Sequence, residues 1–357
     1  LEGCGVAKDT LQALAYLRKT AEMGVGNAAS RLGDFFYNGE FVSRDIDSAM
    51  YYYMKGVADN NANCNYMLGK YLIDNNAYYE KAVEYLYHAA KKGHLEATLL
   101  FADCEQNGIG LQANPEDAYL IYENVARNTG NSEAYLNMGV ARFQGLGCEQ
   151  DYALAKTYFD SAAKAGNSGA IFNLGICYAN GVGCDQDTVL AMDYFKQAAE
   201  LNNIRALNLL GQCYQEGDGV PEDKTLAVSY FERAMAQGST EAMCNLGLCY
   251  EEGDGVVLNS KKAFELYTQA AEAGSARGCF MVANCYASGI YVREDMAKAA
   301  TWYEKAAERG HLIAMYNLAM MYEKGDGVEQ NKKLAKKWLK LAADNGYEPA
   351  QQKLNSK

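Results

Sequence analysis

Residues 242–256 read AMCNLGLCYEEGDGV, and the same pattern starts at Ala206 (ALNLLGQCYQEGDGV) and at Ala170 (AIFNLGICYANGVG). The step is 36 residues both times, since 242 − 206 = 36 and 206 − 170 = 36. Further copies start at six other places: Ala28, Cys64, Ala97, Ala134, Gly278 and Ala314. A period of about 20 to 50 residues is typical of solenoids and other repeat arrays. The sequence therefore predicts nine tandem units.

Each unit contains two helical patterns, A and B, joined by a glycine turn. Helix A is the stretch quoted above, and helix B has apolar or small residues at i, i+3, i+4 and i+7, as in residues 191–199 (AMDYFKQAA). Between the two helices, Gly217 and Gly219 stand where a turn with positive φ is expected. Aspartates near the start of helix B are predicted to cap it. These are Asp151, Asp187, Asp223 and Asp295.

Glycines also occur inside helix A, at Gly175, Gly211 and Gly247. Each lowers helix propensity by about 1 kcal/mol relative to alanine. Close approach of a neighbouring helix is the expected compensation, because a solenoid unit buries its apolar face only against the next unit.

The repeated pattern A-x-x-x-L-G-x-x-Y-x-x-G-x-G-V-x-x-D, followed by A-x-x-W/Y-Y/F-x-x-A-A-x-x-G, resembles the Sel-one-like repeat family. This family is a branch of the tetratricopeptide-like α-solenoids, and the resemblance covers nearly all of the chain. It departs locally: Arg142 replaces the helix A tyrosine, Ala283 and Ala319 replace the glycine, and the second unit lacks the glycine turn.

The resemblance implies an all-α fold, a right-handed α-solenoid superhelix of about nine antiparallel helix-pair repeats of about 36 residues. We expect a single solenoid over residues 1–357. Residues 1–26 are expected to supply a partial repeat, a turn plus a B helix, and residues 27–347 nine repeats. Residues 348–357 are expected to begin a further A helix or to form a cap.

The charge balance excludes some functions. With 33 Lys+Arg against 45 Asp+Glu, the formal net charge is −12, which repels nucleic acid and anionic membrane surfaces at long range. No run of apolar residues is long enough to span a bilayer, and the first residues lack the pattern of a signal peptide. Because the first residue is Leu1 and not Met, we expect the chain to be a fragment.

Eleven cysteines raise the question of disulfides. Cys177, Cys213, Cys249 and Cys285 share one column of helix A, and equivalent residues of stacked helices lie about 8–10 Å apart, beyond the Cα separation of about 7 Å that a disulfide allows. We therefore expect small buried hydrophobic thiols and favour a reducing, cytoplasmic compartment. A disulfide between Cys177 and Cys184 stays as an alternative.

A secreted branch of the resembled family bridges each unit through cysteines eight residues apart. Cys244 and Cys279 match the second cysteine of that pair, but Ala236 and Ala271 stand at the first position. The resemblance therefore implies that this bridge is missing here.

Few residues of the sequence are candidates for catalysis. His88, His94 and His311 are the three histidines, and no metalloprotease, nucleophile-elbow, Walker or dinucleotide motif occurs. The turns at 217–219 and 253–255 read Gly-Asp-Gly, but one carboxylate per turn falls short of the six to eight oxygens that calcium takes. We expect no enzyme activity, no metal and no cofactor.

Binding is expected on the face of helix A that the core does not use. In the resembled family the A helices line the inner, concave curve, and their free face here mixes apolar side chains with amides, which suits an extended peptide. The predicted peptide-binding residues, called the inner-face set below, are Asn137, Phe172, Asn173, Ile176, Asn208, Gln212, Asn245, Leu248, Phe280, Asn284, Tyr316 and Asn317.

Carboxylates at the ends of helix A and in the turns are expected to favour a partner segment that carries Lys or Arg. This acidic rim consists of Glu216, Asp218, Glu251, Glu252, Asp254 and Glu323. The sequence thus predicts a non-enzymatic scaffold that binds a protein or peptide partner. Two alternatives stay open: a regulatory or targeting module of a larger protein, and a secreted disulfide-bridged repeat protein.

Overall fold

The structure of the chain is a computed structural model that describes residues 10–355. Within these residues every regular element is a helix and no strand is present, which confirms the predicted all-α class. The chain divides into two compact units, one ending at Asp185 and the other beginning at Gln186, and each is described by itself.

The first unit contains ten helices in its described part. They are α1 (Thr10–Glu22), α2 (Gly26–Asn38), α3 (Ile46–Ala58), α4 (Ala62–Asp74), α5 (Tyr79–Lys91), α6 (Leu95–Asn107), α7 (Pro115–Thr129), α8 (Ser132–Gln144), α9 (Tyr152–Lys164) and α10 (Ser168–Asn180). Even-numbered helices carry the A pattern and odd-numbered helices the B pattern.

The second unit contains ten more helices up to residue 355, with the same alternation. They are α11 (Thr188–Glu200), α12 (Ile204–Glu216), α13 (Lys224–Ala236), α14 (Thr240–Glu252), α15 (Ser260–Glu272), α16 (Ala276–Ser288), α17 (Met296–Glu308), α18 (Leu312–Lys324), α19 (Lys332–Asp344) and α20 (Glu348–Asn355). Within each unit a helix packs mainly against the helices directly before and after it in the chain.

Side-chain caps set the starts of the B helices. The carboxylate of Asp151 accepts a hydrogen bond from the amide of Leu154 at 2.9 Å, and Asp223 accepts one from Leu226 at 2.9 Å. Asp187 and Asp295 cap α11 and α17 in the same way, so all four predicted caps are confirmed. Each leaves one fewer backbone donor unpaired at the helix start.

Glycine inside helix A makes room for an aromatic ring of helix B. A Cβ placed on Gly211 would lie 2.4 Å from the Phe231 ring, and one on Gly247 would lie 2.3 Å from the Tyr267 ring. Both rings are fully buried. The predicted close approach is confirmed, and any larger side chain at either glycine would push the two helices apart.

The predicted turn glycines are confirmed as well, since Gly217 and Gly219 have φ of +73° and +69°. Gly253 and Gly255 have φ of +78° and +68°, and a Cβ on Gly255 would lie 2.2 Å from the carbonyl oxygen of Lys224, in the preceding repeat. The turn therefore needs glycine both for its backbone conformation and for contact between repeats.

The ends of the described chain follow the repeat. Helix α1 lies where the partial B helix is expected and α20 where a further A helix is expected, whereas the turn expected before α1 lies outside the described residues. The grouping of all repeats into one solenoid domain stays a prediction.

Candidate functional site: the free face of the A helices

The inner-face set lies on A helices, from α8 to α18, and none of its members is exposed. Phe172, Asn208 and Asn245 are buried, and the other nine are half-buried. Asn137, Phe172, Asn173 and Ile176 belong to the first unit and the remaining eight to the second. Neighbouring residues therefore already cover much of this face.

Asn137 is hydrogen-bonded to the preceding repeat. Its Nδ2 donates to Oδ1 of Asp103 on α6 at 3.2 Å, and the hydroxyl of the buried Tyr122 on α7 donates to the same oxygen at 2.5 Å. Burial raises the pKa of Asp103, although the Tyr122 bond acts in the opposite direction. One half-buried carboxyl thus joins three helices through hydrogen bonds within the chain.

A similar internal bond occurs in the second unit. The hydroxyl of Tyr303 on α17 donates to Oδ1 of Asn284 at 2.7 Å, and Asn317 of the next repeat lies close enough to act on the pKa of Tyr303. Burial raises the pKa of Tyr303, so the phenol stays protonated at neutral pH. The side-chain oxygen of Asn284 is therefore already used within its own repeat.

Asn208 and Asn245 differ from these, because each keeps one buried amide atom without a hydrogen-bond partner within the described chain. Both side chains are only 5% exposed. Nδ2 of Asn208 donates to Oγ of Ser239 at 2.9 Å, which leaves its Oδ1 unpartnered. Oδ1 of Asn245 accepts from Nη1 of Arg277 at 2.8 Å, which leaves its Nδ2 unpartnered.

Half of the acidic rim has internal partners. Asp254 pairs with Lys224 at 2.7 Å, and Glu323 pairs with Lys353 at 2.7 Å. Glu251 accepts a hydrogen bond from the Tyr267 hydroxyl at 2.7 Å.

The other three carboxylates of the rim, Glu216, Asp218 and Glu252, are exposed. Glu216 and Glu252 are the last residues of α12 and α14 and hold equivalent places in successive repeats. They are the members best placed to meet a partner.

Two of the three histidines are helix caps. Nδ1 of His94 accepts from the amide of Ala97 at 3.3 Å, and Nδ1 of His311 accepts from Ala314 at 3.2 Å. The His311 ring stacks on Phe280, with 4.3 Å between ring centroids. Burial lowers the pKa of both imidazoles, and the charge of Arg277 adds to this at His311. A neutral imidazole with an accepting Nδ1 carries its proton on Nε2.

The thiols are protected from ionisation. All ten cysteines of the described chain are free, and Cys4 lies outside the described residues. Burial raises the pKa of Cys177 and Cys249 to about 11 and that of Cys285 to about 12. A nucleophilic cysteine needs a lowered pKa, so these thiols are suited to packing.

Metal binding and membrane crossing find no support between residues 10 and 355. Groups of three or more histidine, cysteine or carboxylate residues that could hold an ion do not occur there. The helices in that range are too short or too polar to cross a membrane.

Arg277, Asp103 and Tyr122 are the residues of this face that the sequence interpretation missed. All three lie outside the motif columns chosen for binding. Arg277 stands in the first turn of α16, at the same repeat position as Arg205 on α12. A column-by-column comparison at that position could have found it.

Comparison with known proteins identifies the repeat. The sequence model of the Sel1 repeat matches residues 1–25, 26–61, 62–94, 97–127, 132–167, 168–203, 204–239, 240–275, 276–311 and 312–347. A Sel1 repeat protein from Oxalobacter formigenes is similar in structure, with a TM-score of 0.59 and 28% identity, covering 69% of this chain and 96% of that one.

A protective antigen of uropathogenic Escherichia coli, c5321, which displays an SLR fold, has a TM-score of 0.50 and 25% identity. That match covers 96% of this chain and 82% of the antigen. A putative ERAD-associated E3 ubiquitin-protein ligase component of Schizosaccharomyces pombe is 30% identical over 81 residues, which is 23% of this chain. The matched part spans 11% of the length of that yeast protein.

Proposed function

Because the chain belongs to the Sel1 repeat family, whose members are generally scaffolds for protein–protein interaction, we propose that it is a non-enzymatic scaffold that holds an extended segment of a partner protein. Within the second unit, the segment lies along the free face of the A helices and contacts the members of the inner-face set found there. The second unit, from α12 to α18, carries the best-supported part of this surface.

The unpartnered amide atoms of Asn208 and Asn245 carry this proposal. A buried polar atom without a hydrogen bond lowers stability by about 1–3 kcal/mol, so both atoms have a reason to accept a new partner. For Asn245 the orientation of the amide is fixed, because Arg277 can only donate and the amide oxygen must face it. For Asn208 either orientation of the amide leaves one atom unpartnered.

A peptide backbone offers one donor and one acceptor at each residue, which matches the free oxygen of Asn208 and the free nitrogen of Asn245. Both atoms are screened from water in the unbound chain. A partner therefore reaches them only after a half-buried neighbour turns aside. The free energy gained by pairing the two atoms favours that movement.

Apolar neighbours supply anchors beside these amides. Leu248, Phe280 and Tyr316 are half-buried members of the inner-face set on three successive A helices. A partially covered apolar side chain gains further burial when a partner side chain packs on it, at about 25 cal/mol per Å². The combination of amides and apolar anchors is the chemistry that an extended segment needs.

The exposed part of the acidic rim favours a basic residue in the partner. Glu216, Asp218 and Glu252 are open to solvent, so their effect is screened by salt and acts mainly on the rate and orientation of binding.

Selection of peptides from a random phage-displayed library on the full chain tests the proposal. Leu248→Asp places a charge on the inner face and should weaken the selected peptides at least about tenfold. Gln269→Asp, on the exposed face of α15, is the matched control and should leave affinity unchanged. Equal affinities for the two variants would place binding elsewhere.

A photo-crosslinking residue at either position keeps the test valid if Leu248→Asp unfolds. Crosslinks to the selected peptide should form from position 248 and not from position 269. The reverse pattern would contradict the proposal as firmly as equal affinities.

A second candidate, a regulatory or targeting module of a larger protein, is favoured by the similarity to the yeast ligase component, of which the matched part spans 11%. For the secreted, bridged alternative, the ten free cysteines of residues 10–355 weigh against it, and a reducing compartment remains our proposal. Titration of the thiols in denaturant tests the bridged alternative. Eleven reactive thiols would exclude the bridged protein, whereas one or three would support it.

A further inference from the structure

The guanidinium of Arg277 is held in place but not neutralised. Its Nη1 donates to the buried Oδ1 of Asn245 at 2.8 Å, and this is its one hydrogen bond to the described chain. Within residues 10–355 no carboxylate lies at ion-pair distance from it. Arg277 itself is half-buried, and its other guanidinium N–H groups make no hydrogen bond within residues 10–355.

The surroundings of Arg277 are donor-rich. His311 lies close enough for the Arg277 charge to lower its pKa, and as a neutral cap it carries a proton on Nε2. Asn245 adds an unpartnered N–H group on the far side of its amide. Arg277 also lies in the first turn of α16, where the helix dipole is positive.

One acid is nearby. Glu241 and Arg277 act in opposite directions on the pKa of the buried Cys244, so both charges are felt at that position. Glu241 is exposed and forms no ion pair with Arg277 among the described residues. The local excess of charge is therefore small, which fits a singly charged anion better than a phosphate dianion.

We propose that Arg277, oriented by Asn245, is an anchor for a carboxylate side chain, an Asp or Glu, in the segment that the scaffold binds. The guanidinium fork matches a carboxylate with two parallel hydrogen bonds, and such charge-assisted bonds are stronger than neutral ones. Asn245 is the positioning residue, because its Oδ1 holds Nη1 of the guanidinium. This inference rests on the proposed function and names one chemical requirement of the partner.

The site also gives the bound segment an orientation. Arg277 lies at the start of an A helix and Glu252 at the end of the preceding one, and an A helix of 13 residues is about 20 Å long. Carboxylates of the partner would thus face one edge of the surface and its Lys or Arg residues the opposite edge. A reversed segment would bring like charges together.

Nuclear magnetic resonance of the full chain labelled with ¹⁵N-arginine tests the anchor directly. The Nε–H signal of Arg277 is assigned by its loss in Arg277→Lys. N-acetylglutamate N-methylamide should shift this signal in a saturable way, and the uncharged glutamine analogue should not. Arg277→Gln should weaken the glutamate probe about tenfold or more, whereas Arg293→Gln, an exposed arginine in the turn after α16, should not.

Two further probes distinguish the source of the anion. N-acetylalanine offers only a terminal carboxylate, and stronger binding of it would overturn the assignment to a side chain. Inorganic phosphate with a larger saturable shift would overturn the carboxylate class. Asn245→Ala should move the Arg277 signal in the free protein and weaken the glutamate probe a few-fold; an unmoved signal would remove Asn245 as the positioning residue.

The outcome is separable from the proposed function. If the glutamate probe leaves Arg277 unshifted while library peptides still depend on Leu248, the carboxylate anchor is wrong and the scaffold surface stands. If peptide affinity does not depend on Leu248 and the glutamate probe does not shift Arg277, then both the scaffold surface and the carboxylate anchor are wrong.

Discussion

Asn137 and Asn245 occupy the same column of helix A, one in each compact unit, and their surroundings give them opposite roles. Asn137 donates to Asp103, which also accepts from Tyr122, so the hydrogen bonds close within the protein. Asn245 accepts from Arg277 and keeps its own nitrogen unpartnered. The residue contributed by the neighbouring repeat, an acid or a base, decides whether the asparagine fastens two repeats or remains able to bind.

Removal of Asp103 should therefore have the largest effect. Asp103→Ala leaves the buried Tyr122 hydroxyl and the Asn137 amide without their acceptor, so the first unit should lose about 3 kcal/mol or more of unfolding free energy. Asn245→Ala in the second unit removes an amide that is already half unpartnered and should change stability by less than about 1 kcal/mol. Urea unfolding of both variants measures the difference.

Asp103→Asn is the matched control for this prediction, since the amide keeps one oxygen as an acceptor for Tyr122. Asp103→Asn should therefore keep most of the unfolding free energy that Asp103→Ala loses. If Asp103→Ala and Asn245→Ala destabilise equally, the distinction between the two asparagines is wrong.

The fold could be predicted from the sequence because a few residue types recur at fixed places in the repeat where local physical chemistry decides their role. The 36-residue step, the helix glycines that admit Phe231 and Tyr267, and the aspartate caps each gave a prediction that the structure confirms. These features act within one repeat or between a repeat and its direct neighbour.

The site could be read only in part. The choice of the helix A face led to Asn208 and Asn245, but the same rule also selected Asn137 and Asn284, whose hydrogen bonds are internal. The hydrogen-bond partner of each asparagine depends on which side chain lies opposite to it, and the 36-residue repeat pattern does not specify that side chain. Binding by the inner-face set and the acidic rim stays a prediction.

The next largest effect is expected when the hydrogen bonds of Asn245 are made internal, as those of Asn137 are. Asn245→Asp would place a carboxylate against Arg277, so the guanidinium should form an ion pair within the chain instead of with a partner. Affinity for an acid-containing library peptide should fall about tenfold or more, while thermal unfolding should occur at the same or a higher temperature. Calorimetric titration and thermal melts check the two effects together.

Asn317→Asp offers a comparison at the same column without an arginine contact, since Asn317 lies beside the hydroxyl of Tyr303. Its effect on peptide affinity should be smaller than that of Asn245→Asp. An equal loss would mean that any negative charge on this face repels the peptide, and Arg277 would have no special part.

The two positions should also differ in their response to pH. Burial raises the pKa of Asp103 above its ordinary value of 3.8, so the folded state binds this proton more tightly than the unfolded state. The stability contribution of Asp103 is then present below pH 3.8 and decreases as pH rises through the raised pKa. Asn245 has no titrating group and should add no such slope.

Urea unfolding of the first unit at several pH values, compared with Asp103→Asn, measures this contribution. The comparison with the variant is needed because burial also raises the pKa of Glu105 on the same helix. Parallel curves for the wild type and Asp103→Asn would show that Asp103 is not the source of the slope.

The smallest effect is expected at the acidic rim, where the same contrast between closed and open positions recurs. Glu252 is exposed, whereas Asp254, two residues later, pairs with Lys224. Glu252→Lys should slow association with a lysine-containing library peptide a few-fold and reduce its dependence on salt, because an exposed charge acts mainly on the encounter. Asp254→Asn should leave the association rate nearly unchanged, since Lys224 already offsets its charge; a larger effect at Asp254 than at Glu252 in stopped-flow measurements would reverse the order of open and closed carboxylates.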